Sequence, residues 1–231
     1  YYFAPNDYWD MTSSVDLRQR SGWLGRLNVN YARRYHFNGR FDYRIENRQT
    51  GANAQRNWRL NFLHNQTLDN DSQIRASGTI QNNTQFGLDN GNLLEERLNR
   101  TLRSNVGYSR RYRKSGNNIN INVSQTRNLD TATQNFVFPE VSFRKSRKAI
   151  WVGENTMGRV ENSPWLSRIF YDSNMRFKNI RNSTETDTSD ITSGDIGLRL
   201  NAQYRPMKWL AINPSLQENW RNEQMRKNIF G

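Results

Sequence analysis

The sequence predicts an all-β fold, an antiparallel meander of strands belonging to a transmembrane β-barrel, and three observations carry that prediction. Hydrophobic residues fill only 34% of the 231 positions, yet 12% of positions are aromatic; disordered chains are usually poor in such rings, so something must cover these. No run of about 18 apolar residues is available for a membrane helix. Apolar residues recur instead at every second position in segments of about ten, as in a barrel strand that shows lipid one face and keeps the other polar. Even with the 14 glycines added, the apolar fraction is about 40%, below the roughly 45–50% of soluble domains. A large water-soluble core is therefore not expected. The short apolar region of a signal peptide is also missing, so the chain reads as starting mature or mid-protein.

From Asp10 to Arg20 the odd positions include Met11, Val15 and Leu17, and the even ones are Thr12, Ser14, Asp16, Arg18 and Arg20. The next strand places Trp23, Gly25, Leu27, Val29, Tyr31, Arg33 and Tyr35 on one face, with Leu24, Arg26, Asn28, Asn30, Ala32 and Arg34 on the other. After an Asn38-Gly39 hairpin turn come Phe41, Tyr43 and Ile45 against Arg40, Asp42, Arg44 and Glu46. The same alternation gives Trp58/Leu60/Phe62, Ile74/Ala76/Gly78/Ile80, Leu102/Ser104/Val106/Tyr108, Ile119/Ile121/Val123 and Val137/Pro139/Val141/Phe143. It continues with Ile169/Tyr171/Ser173/Met175/Phe177, Ile196/Leu198/Leu200/Ala202/Tyr204 and a last strand between Trp209 and Trp220. The sum is about eleven strands over 1–231 with no separate second domain, and at most a helical turn around Leu93–Leu98. Pro139 and Pro214 fall inside two of these strands, where a missing N–H breaks the ladder.

Connections are expected to alternate in length. Short ones fall at His36–Gly39, Leu68–Ser72, Arg113–Asn117 and Arg205–Lys208, and long polar ones at Asn47–Asn57, Thr84–Arg97, Arg127–Thr133 and Asn179–Gly194. Short periplasmic turns and long extracellular loops are the outer-membrane arrangement; Lys145–Pro164 is the exception. An internal repeat, Y-x-R-R-Y-x-x-[N/S]-G, begins at Tyr31 and again at Tyr108, each copy at a short turn. Tyr31, Tyr35, Tyr108 and Tyr112 suit a membrane interface, where amphipathic rings and long cationic chains sit at headgroup level. Any basic hairpin could carry the same pattern.

Lys and Arg number 34 against 21 Asp and Glu, a net charge of +13 and a pI near 10.4. Arg26, Arg34, Arg40, Arg44, Arg59 and Arg75 fall on the polar faces of their strands, a lining able to grip phosphates and carboxylates bidentately. The alternative is that they fill the lumen as an ion-pair mesh with Asp42, Glu46 and other acids. A nucleic-acid-binding sheet would need basic and stacking residues on one face; here they lie mostly on opposite faces. Catalytic candidates are few. His64, in Leu63-His64-Asn65-Gln66, could meet a distant acid or be a hydrogen-bonded lumenal histidine, and no H-E-x-x-H, G-x-S-x-G or phosphate-binding glycine loop is present. Absence of cysteine rules out disulfides, thiol catalysis and Cys-based zinc sites. No enzyme, cofactor or metal site is expected.

Tyr1-Tyr2-Phe3-Ala4-Pro5-Asn6-Asp7-Tyr8-Trp9-Asp10-Met11-Thr12 resembles the opening barrel segment of the LptD family, the lipopolysaccharide-assembly proteins of the Gram-negative outer membrane. Arg34–Gly39, Leu63–Gln66, Phe138-Pro139-Glu140-Val141-Ser142-Phe143 and Leu210–Leu216 resemble family segments in the same order. The resemblance implies part of a large barrel, under half of its strands, acting not as an enzyme but as a conduit that inserts lipopolysaccharide into the outer leaflet. It implies an LptE-like plug lipoprotein and a periplasmic LptA-like bridge as partners, alongside outer-membrane lipid, and a lateral-gate region at Tyr1, Tyr2, Phe3, Pro5 and Asn6. The family's gate-weakening prolines are matched here by Pro5 alone. A self-contained small porin is the rival reading; the poorly alternating Gln224–Gly231 favours a partial chain.

Overall fold

The computed structural model describes residues 1–18, 22–50, 53–90, 98–150, 168–184, 186–207 and 210–229. Its strands are β1 (Tyr2–Asn6), β2 (Trp9–Arg18), β3 (Gly22–Arg33), β4 (Phe37–Thr50), β5 (Asn53–Asp69), β6 (Ser72–Gln81) and β7 (Thr101–Tyr112). There follow β8 (Asn117–Asn128), β9 (Gln134–Ala149), β10 (Ile169–Ser183), β11 (Asp187–Ala202), β12 (Tyr204–Met207), β13 (Leu210–Ile212) and β14 (Ser215–Ile229), with one short helix, α1 (Phe86–Asn90). Twelve strands form one antiparallel sheet in the order β1 to β11 and then β14; β12 and β13 pair only with each other. The sheet is open, with β1 and β14 at its edges.

Registers place the alternating residues as period two demands. Across β2 to β6 one face carries the rows Met11–Val29–Phe41–Phe62–Gly78 and Ser13–Leu27–Tyr43–Leu60–Ile80; the other carries Thr12–Asn28–Asp42–Asn61–Thr79. The apolar face continues through Tyr108–Ile121–Val141–Phe177 and Phe143–Met175–Ile196–Trp220. Val15, Leu17, Val106, Met175, Phe177, Ile196, Leu216 and Trp220 on this face are all exposed, which in water would be a large aggregation-prone surface. Part of the opposite face is covered, on β3 to β5, where Leu24 and Glu46 are 0% and 1% exposed.

Several expectations need correction. β1 was missed, since five residues before a two-residue turn show too little alternation to read as a strand. The β3–β4 hairpin turns at Arg34–His36, not at Asn38-Gly39, which already pair with Ala32 and Tyr31; Tyr35 takes the left-handed conformation there (φ 65°). The repeat is therefore one of sequence and not of backbone, because in its second copy Gly116 (φ 69°) makes the turn. The segments Asn47–Asn57 and Asn179–Gly194 are not long loops: β4 runs to Thr50, β5 starts at Asn53, β10 runs to Ser183 and β11 starts at Asp187. In these overhangs both faces are mostly polar, the Ile180–Ile191 pair being an exception, so the ladder continues while its alternation disappears. Gln224–Ile229 in β14, polar but for Met225 and Ile229, likewise continues the ladder. The helix sits at Phe86–Asn90, and positions 93–97 of the expected Leu93–Leu98 turn lie outside the described residues, as does most of the Lys145–Pro164 connection.

Pro139 lies in β9, after a cis Phe138-Pro139 peptide. Two residues there oppose one on each neighbouring strand, a β-bulge, between the Glu140–Asn122 and Val137–Ser124 pairs and likewise against β10. The extra residue flips Val137 onto the polar-side face, opposite Ile180 and away from Val141 and Phe143. Pro214 precedes β14 and is outside any strand. Tyr204, expected to extend the β11 face, belongs to β12.

Gly39 meets a packing requirement. Gly39 lies under the Tyr31 ring, whose hydroxyl reaches His64 Nδ1 across β4 at 2.7 Å. Tyr31 also stacks on Trp9 (centroids 4.8 Å) and Phe41 (5.7 Å). A Cβ at position 39 would strike Tyr31 and the Leu63 carbonyl. Gly39→Val should therefore displace Tyr31 and lower stability by about 1–3 kcal/mol. Denaturant unfolding followed by tryptophan emission reads this through Trp9; an unchanged midpoint would refute the packing.

Candidate substrate path on the polar face

Three arginines form a continuous row on the covered face: Arg26 pairs with Arg44, and Arg44 with Arg59, on adjacent strands β3, β4 and β5. Strand spacing sets neighbours about 4.8 Å apart, and like charges directly opposite are destabilising. Acids offset part of this. Arg26 Nη1 lies 2.9 Å from Asp16 Oδ2, and Arg44 Nε lies 3.0 Å from Asp42 Oδ1. Arg59 Nε donates to Asn61 Oδ1 at 3.4 Å. Arg44 and Arg59 are buried, and Arg26 keeps a buried Nε without a hydrogen-bond acceptor among the described residues.

The other predicted arginines are placed differently. Arg40 lies on the same face, opposite Asn30 and Leu63, and is exposed. Arg75 faces that way too, but its Nη2 donates to Gln73 Oε1 at 3.2 Å near the chain's tight turns. Arg34 is not on a strand face: it lies in the β3–β4 turn, over the Tyr35 ring at 4.8 Å. His64 sits on the apolar face with Phe62, not on the polar side, and its nitrogens engage Tyr31 and, at 3.2 Å, Gln66 Oε1.

Sequence reasoning missed the cover over this row. The segment 82–90, including α1, folds back onto the polar face. Asn83 Nδ2 donates to Asn57 Oδ1 at 3.0 Å, Asn82 Oδ1 accepts the Trp58 N–H at 2.7 Å, and Arg48 meets Asp89 at 2.9 Å. At its centre Glu46 accepts from Arg18 Nη1 and from Asn90 Nδ2, both at 3.1 Å, while Arg18 Nη2 donates to Asn90 Oδ1 at 3.1 Å. Phe86 is 2% exposed beside this network. A run of Asn residues after an alternating strand was the available signal, since Asn satisfies backbone groups locally.

Two open grooves flank the row at the tight-turn end of the sheet. One, of about 680 Å³, lies at the β1 edge and includes Tyr2, Asn6, Asp10, Asn30 and Arg40; Asn30 Nδ2 donates to Asp10 Oδ1 at 2.8 Å. The other, of about 790 Å³, lies between Asp69, Asp71, Arg111, Arg113 and Asn118. The Asp71 N–H, 2.8 Å from Asp69 Oδ1, holds the Asp69 carboxyl below the usual carboxylate range, with the Ser72 hydroxyl next in effect. Asp69 thus stays charged in this turn at neutral pH.

The expected gate residues make up an edge. Tyr2–Asn6 are β1, exposed throughout, paired only to β2 through Tyr2–Thr12, Phe3–Met11 and Asn6–Trp9. Tyr1 is fixed by its amino group to Ser13 O at 2.7 Å. The register shifts between Phe3 and Asn6, where Pro5 can donate no N–H. Tyr31 and Tyr108 are on the apolar face, Tyr112 ends β7, and Tyr35 is in its turn.

An open antiparallel sheet with one exposed apolar face and one polar, basic, partly covered face is a stretch of wall from a membrane-spanning β-barrel. A family model described as LptD protein matches residues 1–230, and the chain belongs to that family. The comparison with curated proteins returned no match.

Proposed function

We propose that this chain is wall and substrate path of a lipopolysaccharide translocon in the bacterial outer membrane. It acts without catalysis, with the overhanging strand ends outside the cell and the tight turns in the periplasm. Residues 1–231 serve as one element of a larger barrel. The polar face lines the lumen and receives the glycan, while acyl chains leave along the weakly paired β1 edge at Tyr1, Tyr2, Phe3, Pro5 and Asn6. By family membership the partners are an LptE-like plug lipoprotein and an LptA-like periplasmic bridge.

The observation that carries this reading is the Arg26–Arg44–Arg59 row on the polar face, with the exposed Arg40 on the same face. Phosphates and acidic sugars can pass along such donors by charge-assisted contacts that are individually weak enough to release. Arg40 lies at the β1 groove, nearest the seam. Arg44→Gln alone should slow surface delivery little, because Arg26 and Arg59 stand on either side. Arg26→Gln/Arg40→Gln/Arg44→Gln/Arg59→Gln together should slow it several-fold while the barrel still folds. Photo-crosslinkers at Tyr2, Phe3, Arg40 and Arg44 should capture lipopolysaccharide; capture confined to other segments would show that these arginines only fill the lumen.

A further inference from the structure

Cations at the two ends of the sheet differ in their ring contacts, although both ends hold ion pairs, Arg113 with Asp71 being one at the tight-turn end. At the overhang end they meet carboxylates: Arg48 with Asp89, Arg100 with Asp130, and Arg181 with Asp190, at 2.9, 2.8 and 2.7 Å. All five cation–ring contacts among the described residues lie at the tight-turn end: Arg33 over Tyr8, Arg34 over Tyr35, Arg110 over Tyr112, Lys145 over Tyr171 and Arg147 over Phe170, at 4.4–6.0 Å. A guanidinium resting on a ring keeps its in-plane N–H donors available, whereas one held by a carboxylate has spent them.

Three of these cations share a place in the pattern of their strands. β3, β7 and β9 all run toward the tight turns, and their lipid-side residues read Val29-Tyr31-Arg33, Val106-Tyr108-Arg110 and Val141-Phe143-Lys145. Each places a β-branched residue, then a ring, then a cation on one face, at steps of two. Within its own strand each cation is thus one step beyond the ring, and across the sheet Arg33 lies opposite Phe37 and Arg110 opposite Ile119, so the cations border the apolar face on the side of the lipid headgroups.

We infer that the tight-turn rim is a binding surface for anionic phospholipid headgroups, with Arg33, Arg110 and Lys145 as donors to the phosphate. The ring beneath each cation excludes water from one side and holds the charge near the membrane plane. The inference rests on the sheet lying in a membrane and not on what passes along its polar face.

The test uses the full-length protein containing this chain, in nanodiscs of equal phosphatidylglycerol and phosphatidylethanolamine, with retained lipids counted by native mass spectrometry. The wild type should retain phosphatidylglycerol in at least about fivefold preference, the factor for one cation near an anionic surface, and salt should weaken it. Arg33→Gln/Arg110→Gln/Lys145→Gln should bring the ratio near unity, while Arg48→Gln/Arg100→Gln/Arg181→Gln at the other rim should leave it unchanged. Arg33→Lys/Arg110→Lys should retain most of the preference. No preference in the wild type, or equal loss from both triple variants, would overturn the inference. The wild-type salt series decides it even where the first triple variant fails to assemble.

Discussion

Glu46→Ala should free the segment 82–90 from the polar face and destabilise the sheet by about 2–3 kcal/mol, the range for hydrogen bonds to a charged group. Glu46 is buried at 1% exposure and is the shared acceptor of Arg18 and Asn90. Removing it leaves Asn90 without that acceptor and takes one acid from beside the Arg26–Arg44–Arg59 row. The cost should fall short of the roughly 3–5 kcal/mol for breaking a fully buried pair, because the Arg18 side chain is 35% exposed and can turn to water. Glu46→Gln keeps the shape and an acceptor oxygen, so its effect should be about half as large. Limited proteolysis reads the release directly: cleavage within residues 82–90 should accelerate in the alanine variant. If the cleavage rate and the unfolding midpoint both stay at wild-type values, Glu46 is not what holds the segment down.

The rows that were legible in the sequence are those with a chemical contrast between neighbours. Along Leu27-Asn28-Val29-Asn30 each step changes from apolar to polar, and a one-residue slip would bury the wrong set, so pattern and register agree. The contrast ends at the membrane boundary. In Glu46–Thr50 and Asp187–Thr192 every side chain but Ile191 is polar or charged, and a two-sided solvated ladder has no period to detect. Such stretches therefore look like loops in the sequence. Bulges were illegible for another reason: Phe138-Pro139 inverts the face of Val137 without disturbing the hydrophobic composition of its segment. The alternation places Arg26, Arg44 and Arg59 on the polar faces of their strands, but their pairing into one row depends on the β3–β4 and β4–β5 registers. The first of these is set by a turn at Arg34–His36 that sequence assigned to Asn38-Gly39. The cover formed by segment 82–90 is tertiary throughout, held by Arg18, Glu46 and Asn57 from strands far away in sequence.

Val106→Arg and Asn105→Arg, on neighbouring residues of β7, should differ in stability by about 2–4 kcal/mol, the cost of an arginine on the lipid face near the membrane midplane. Val106 sits between Ala76 and Val123 on the apolar face and is 44% exposed there. A guanidinium in its place would enter hydrocarbon or bend toward a headgroup region. Asn105 pairs with Ser77 and Ser124 on the polar face, where an added arginine stays solvated and should change stability by about 0.5 kcal/mol or less. Urea titrations of the folded protein in lipid vesicles supply both numbers, and detergent micelles, which wrap the outer face more loosely, should narrow the gap. Two variants that lose stability equally would mean that Val106 does not face lipid. The apolar face would then be packed against protein, and the polar face would lose its claim to be the lumen. The comparison therefore tests the side assignment from which the arginine row and the cation rim both take their meaning.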